Sequence, residues 1–269
     1  MSASVLPPLL IFGPFDPSGA TSLPADAITC AALQCHGLGV LTANTIQDSA
    51  HQEDAVAISH EFIDEQARCL LEDMAISALK VGRLDTPEAV SVIAQIAADY
   101  NHLPLVLHLD SPGDASDLDA QDLAEDVMAA TVELLLPQTD IVVTEHMRIT
   151  QWLADGLLSE PVETNDALRE AGAEWSLILG APLRSDTRCT QLNGPEGLLR
   201  QWNWHASQER LSDSADLVAT AIAAFLARGL APDEAVAQAI SYVQACQQQN
   251  FRPGMGRRLA WRLPGEQQE

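Results

Sequence analysis

Residues 11–33, IFGPFDPSGATSLPADAITCAAL, begin as an apolar strand, break into a loop of Pro, Gly, Ser and Asp, and resume as a helix. Two aspartates, Asp16 and Asp26, stand ten positions apart around that turn. Further apolar runs of strand length lie at 39–43, 78–81, 105–109, 141–144 and 176–179, most of them separated by stretches with helical periodicity. The alternation predicts an α/β fold, a mostly parallel sheet with helices on its faces. In such sheets ligands collect beyond the carboxyl ends of the strands, so the turn at 13–26 is where a site is expected.

Local signals fix several helices. DTPEAVSVIAQIAADY opens with Thr86 as a cap, Pro87 at the first helical position and Glu88 near the positive helix end; Val90, Ile93, Ala94 and Ala97 form one apolar face. EFIDEQARCLLEDM and DLAEDVMAATVELLL read the same way. Beyond residue 180 the pattern changes to short strands around a Gly-Pro turn, followed by two consecutive helices, the first almost wholly small and apolar. No repeat or linker interrupts the chain, and a single domain over 1–269 is expected.

Thirty-eight acids against 14 bases give a formal charge of −24, and Lys80 is the only lysine. That balance argues against nucleic acid or an anionic membrane as a partner. It suits a salt-rich cytoplasm, where screening weakens self-repulsion. No apolar run reaches the length of a membrane span, and the first ten residues carry no basic leader, which predicts a soluble cytoplasmic protein. Five scattered cysteines and seven histidines show no metal-binding spacing. His108, inside LVLHLD, reads as a satisfied strand-end residue.

GPFDPSGATSLPAD resembles the N-terminal signature of the hydroxymethylpyrimidine and phosphomethylpyrimidine kinases of thiamine synthesis, approximately G-x-D-P-S-G-G-A-G-I-Q-A-D; Asp16, Pro17, Ser18, Gly19, Ala25 and Asp26 match. CHGLGVLTANTIQDS, ALKVGRL, ELLLPQTDIVVTEHM and LVATAIAAFLARG follow in the family's order, as does GMG at 254–256. The resemblance implies a three-layer ribokinase-like fold and transfer of the γ-phosphoryl group of ATP, with Mg²⁺, to an aminopyrimidine alcohol or its monophosphate. It further implies a homodimer.

In that reading Asp26 and Gln47 bond the amino group and nitrogens of the ring, with Asp16 and Gly19 in the same substrate loop. Ser214 and Ala215 stand where the family's anion hole begins, and Asp216 falls on the general-base position of the wider superfamily. Several positions depart from the pattern. DSAD at 213–216 replaces a glycine-bearing G-T/S-G-C, and Asp213 would set a like charge against a phosphate, costing on the order of 4 kcal/mol at ~4 Å. His146 and Ile149 replace an Asn-x-x-Glu, Leu179 lies near a lost lysine, and Arg83 replaces a pocket methionine. Arg83 would bind a phosphate already on the substrate or pair with Asp85 on the surface.

Read from the residues alone, Asp16 is also an ordinary turn residue, Gln47 a polar strand end, and Asp26, Asp213 and Asp216 helix-start charges. Two other functions are compatible with the retained substrate side and altered phosphate side. One is a catalytically silent pyrimidine-binding regulator; the other is a kinase of a different small heterocyclic alcohol.

Overall fold

The computed structural model describes residues 6–110, 118–159, 166–184, 187–203 and 214–265. The chain begins β1 (Pro8–Phe15), α1 (Ser22–Ala32), β2 (His36–Gln47), β3 (Gln52–Ala57), α2 (His60–Asp73), β4 (Ala78–Val81), α3 (Pro87–Asp99) and β5 (Leu105–His108). It continues through α4 (Leu118–Ala130), β6 (Ile141–Glu145), α5 (His146–Ala154), α6 (Ala167–Glu170), β7 (Trp175–Arg184), β8 (Thr187–Gly194) and β9 (Gly197–Asn203). The last elements are α7 (Ser214–Ala227), α8 (Pro232–Gln248) and the short pair β10 (Asn250–Phe251) and β11 (Leu259–Ala260).

Nine strands form one sheet in the order β3-β2-β1-β4-β5-β6-β7-β8-β9. The strands from β2 to β7 in that order run parallel, while β3, β8 and β9 pair antiparallel at the two edges. The order explains the composition of the strands. Each central strand is covered on both faces and therefore reads as a continuous apolar run.

Alternate residues separate into two cores. Leu10, Phe12, Leu79, Val81, Leu105 and Leu107 pack with α2, α3 and α5 on one face. Leu9, Ile11, Ala78, Val106, Ile141 and Val143 pack with α1, α7 and α8 on the other. Three layers result, as the resemblance implies. α7 is buried along almost its whole length, which is why its sequence is nearly all small and apolar.

The Thr86 cap forms, its hydroxyl accepting from the Ala89 amide at 3.2 Å. The expected helix over DLAEDVMAATVELLL is regular only to Ala130 and gives way to a π-helical turn at Thr131–Leu135. There the Thr131 hydroxyl donates to the Val127 carbonyl at 2.7 Å, a side-chain bond that competes with the helical ladder. β3 has no counterpart in the sequence reading. Its residues QEDAVA lie at the sheet edge, five of the six exposed, so neither an apolar run nor a clean alternation marks it.

The β2–β3 turn is held from the far end of the chain. The Arg257 amide donates to the Ser49 carbonyl at 2.8 Å, and the Gly256 amide to the Ser49 hydroxyl at 3.1 Å. A Cβ on Gly256 would stand 2.1 Å from the Ser49 carbonyl oxygen, so only glycine allows this approach.

Candidate active site

Strand parity sets the centre of the site. Lys80 lies two residues after Ala78 and shares its face, beneath α7, and its side chain has no exposed surface. Its ammonium donates to Asp26 Oδ2 at 2.8 Å and to Asp216 Oδ1 at 2.5 Å. Asp26 comes from the inward stripe of α1 (Ala25, Asp26, Thr29, Cys30) and Asp216 from the first turn of α7. Thr220, one turn further along α7, donates its hydroxyl to Asp26 Oδ1 at 2.5 Å. His108, on the same sheet face as Val106, brings Nδ1 to 3.4 Å from Asp216 Oδ1. The other Asp216 oxygen accepts the Ser22 amide at 2.9 Å. Ser22 achieves this with φ +58°, a left-handed conformation that costs a non-glycine residue roughly 1–2 kcal/mol.

The electrostatics of the two aspartates diverge. Burial would raise Asp216, but Lys80 and His108 more than offset it and hold the carboxylate well below its usual range. Asp26 is raised to about 6, by burial first and by the Asp216 charge second, against the pull of Lys80. Burial alone would lower Lys80; the two carboxylates reverse that and raise it. Asp216 is therefore the ionised member and Asp26 the one that protonates first.

A cleft of about 660 Å³ opens at the carboxyl ends of β1, β2, β4 and β5, bordered by Asp16, Gln47, Arg83, His108 and Asp216. Seven carboxylates and two arginines line it among the described residues. The Asp16 carboxylate is the hub of its loop: it accepts the amides of Ser18, Ala20 and Thr21 and the hydroxyls of Ser18 and Thr21. Gly19 closes the turn at φ +68°, its amide donating to the Asp16 carbonyl at 3.1 Å. Arg262 braces the loop from behind, donating to the Ala20 carbonyl and the Thr29 hydroxyl.

The sequence profile of the family described as phosphomethylpyrimidine kinase matches residues 16–260. The chain belongs to that family. A hydroxymethylpyrimidine/phosphomethylpyrimidine kinase of Streptomyces coelicolor is 28% identical over 264 residues, covering 94% of this chain and 93% of the relative. The fold matches a Bacillus subtilis pyridoxal kinase solved as an ADP complex, with a TM-score of 0.83 and 18% identity over 97% of this chain and 98% of that one. A Clostridium difficile phosphomethylpyrimidine kinase gives a TM-score of 0.73 and 22% identity over 89% and 98%.

Against the expectations drawn from the family, Asp26 requires a correction. It has no exposed surface and both its oxygens are engaged, so it braces Lys80 behind the cleft wall rather than presenting acceptors to a ring. Nor does Asp26 or Asp216 serve as a simple helix-start charge: Asp26 sits beyond the first turn of α1, and the Asp216 carboxylate is spent on Lys80, His108 and the Ser22 amide. Gln47 stands half-exposed on the cleft wall.

Arg83 does pair with Asp85, at 3.2 Å, but the pair is mostly buried rather than on the surface. The Arg83 Nη1 donates to Gln52 at 2.7 Å, while Nη2 is buried without a hydrogen-bond partner. Ser214 borders a separate recess of about 50 Å³ beside α8 and accepts from Gln247 at 2.9 Å; Ala215 is buried and lines neither space. Asp213 lies outside the described residues.

Lys80, His108, Thr220 and Ser22 were missed as site residues. The signal for Lys80 was present: the only lysine of the chain sits inside the apolar strand ALKV.

Proposed function

We propose that this protein transfers the γ-phosphoryl group of ATP to hydroxymethylpyrimidine, its monophosphate, or both. The carrying observation is the placement of Asp216: an ionised carboxylate at the start of α7, fixed by Lys80 and the Ser22 amide, on the wall of a cleft that Gln47 also borders. A carboxylate so placed serves as the base for an attacking hydroxyl, and fixing it before substrate arrives removes reorganisation from the reaction.

Gln47 offers an amide donor and acceptor in one plane, which suits the edge of an aminopyrimidine. The unpartnered Arg83 Nη2 is a cation ready for a phosphate already on the substrate. Asp16 and Gly19 shape the substrate loop; Ser214 and Ala215 open α7 outside the lining of the cleft, so a role for their backbone amides in holding the nucleotide phosphates requires the start of α7 to be uncovered when nucleotide binds. Those phosphates would face an acidic cleft, which calls for Mg²⁺ to neutralise them. The described residues contain no cluster of three metal-ligating side chains, so the ion would enter on the nucleotide, as Mg²⁺ commonly does. Among the described residues no helix is long and apolar enough to cross a membrane. A homodimer in the cytoplasm completes the reading, and sedimentation of the purified chain measures the first of these.

Asp216→Asn tests the assignment. It is expected to lower turnover of Mg-ATP and hydroxymethylpyrimidine by about 10²–10⁴-fold, with the melting temperature within a few degrees of the parent. Pyrimidine binding without ATP consumption by the parent would select the silent regulator instead. Turnover only with another heterocyclic alcohol would select the other kinase.

A further inference from the structure

We propose that Arg257 is a phosphate-binding residue at the edge of the cleft: its guanidinium takes a phosphate group of an incoming ligand and so separates phosphate-bearing ligands from the free heterocyclic alcohol. The inference rests on the kinase reading above, in which phosphate arrives either on the pyrimidine or on the nucleotide.

The sequence gathers Arg252, Arg257 and Arg258 into one short stretch of a chain that sets 14 bases against 38 acids. The turn that carries them is built from its own side chains. Arg252 donates through Nη2 to the Met255 carbonyl at 2.6 Å, and Arg258 through Nη2 to the Asn250 carbonyl at 3.1 Å, so both fold back on the turn. The turn is also tied to the cleft: the amides of Gly256 and Arg257 bond Ser49, two residues beyond Gln47 on the cleft wall. Arg257 differs from its two neighbours. It is exposed, it borders the 660 Å³ cleft, and among the described residues no carboxylate or carbonyl accepts from its guanidinium.

The rest of the lining offers an anion less. Arg83, the other arginine there, pairs with Asp85 and donates to Gln52, and its unbonded Nη2 is buried. The carboxylates of Asp16, Asp48 and Asp54 are engaged by nearby backbone amides, but they keep their charge and repel an anion. A phosphate entering this cleft is therefore drawn to the one exposed cation of the lining. A guanidinium offers two parallel N–H donors to two phosphate oxygens, a contact that no neutral side chain reproduces. The Arg257 backbone is held before the ligand arrives, so less order has to be imposed on binding.

The test is calorimetric titration of the full chain, at neutral pH and low salt, with hydroxymethylpyrimidine, its monophosphate and Mg-ATP. Arg257→Gln should weaken the monophosphate, Mg-ATP or both by about tenfold, while the Kd of the free alcohol stays within about twofold of the parent. Arg257→Glu should weaken the same ligand further. A loss confined to the monophosphate places the bound phosphate on the substrate, and a loss confined to Mg-ATP places it on the nucleotide. At about 0.5 M sodium chloride the gap between the parent and Arg257→Gln should narrow, because the contact is exposed and its charge is screened. Unchanged affinity for both phosphate-bearing ligands in Arg257→Gln, or an equal loss for the free alcohol, overturns the inference alone. A parent that binds none of the three ligands overturns the kinase reading and this one with it.

Discussion

Lys80 is asked to compensate two carboxylates with one charge, and its side chain has no exposed surface. Removing one member of such a group leaves the rest buried and uncompensated, which costs about 3–5 kcal/mol. Lys80→Met is expected to lower the urea unfolding free energy at pH 7 by that amount. Asp26 gives a second prediction. Its folded value, about 6, lies above the ordinary 3.8, so the native chain holds this proton more tightly than the unfolded chain does. The associated stability is full below about pH 3.8 and is lost as pH rises through about 6. Asp26→Asn cannot ionise, so its stability relative to the parent should improve by on the order of 3 kcal/mol between pH 4 and pH 7 in paired denaturation curves. The sequence made Asp26 and Asp216 conspicuous through turn chemistry and motif position. It did not reveal that they meet, because the contacts run through Lys80 across 54 and 136 residues and nothing local marks them.

At the scale of elements, what was legible followed from burial on two faces. β4 is short and apolar apart from Lys80, β6 is apolar up to Thr144 and Glu145 at its end, and both fall within a residue of their expected bounds. α3 was marked by its cap and its face together. β3 was illegible because an exposed edge strand needs no apolar pattern, and the π-helical turn was illegible because the helical period of the sequence runs through it unbroken. The β2–β3 hairpin that borders the cleft is also an element whose anchor lies 207 residues away, at Gly256. Gly256→Ala drives a methyl group into the Ser49 carbonyl and the Ala50 amide, so the clasp must open. Amide exchange over residues 44–57 should then quicken roughly tenfold while that of β4 and β5 stays as it was.

For the whole molecule the dominant quantity is the charge of −24. Self-repulsion of that size is screened once the Debye length falls to about 3 Å at 1 M salt. The melting temperature is expected to climb by several degrees from low to molar sodium chloride, and a flat response would refute the idea of an acid surface adapted to salt. The same excess of acid makes the placement of Lys80 consequential beyond the site. The chain's single ε-amino group lies wholly within the core, so the folded protein presents no lysine side chain to an acylating reagent. Unfolding releases that amine at one known position. The rate at which an activated ester labels residue 80 therefore counts how often a molecule opens to its centre.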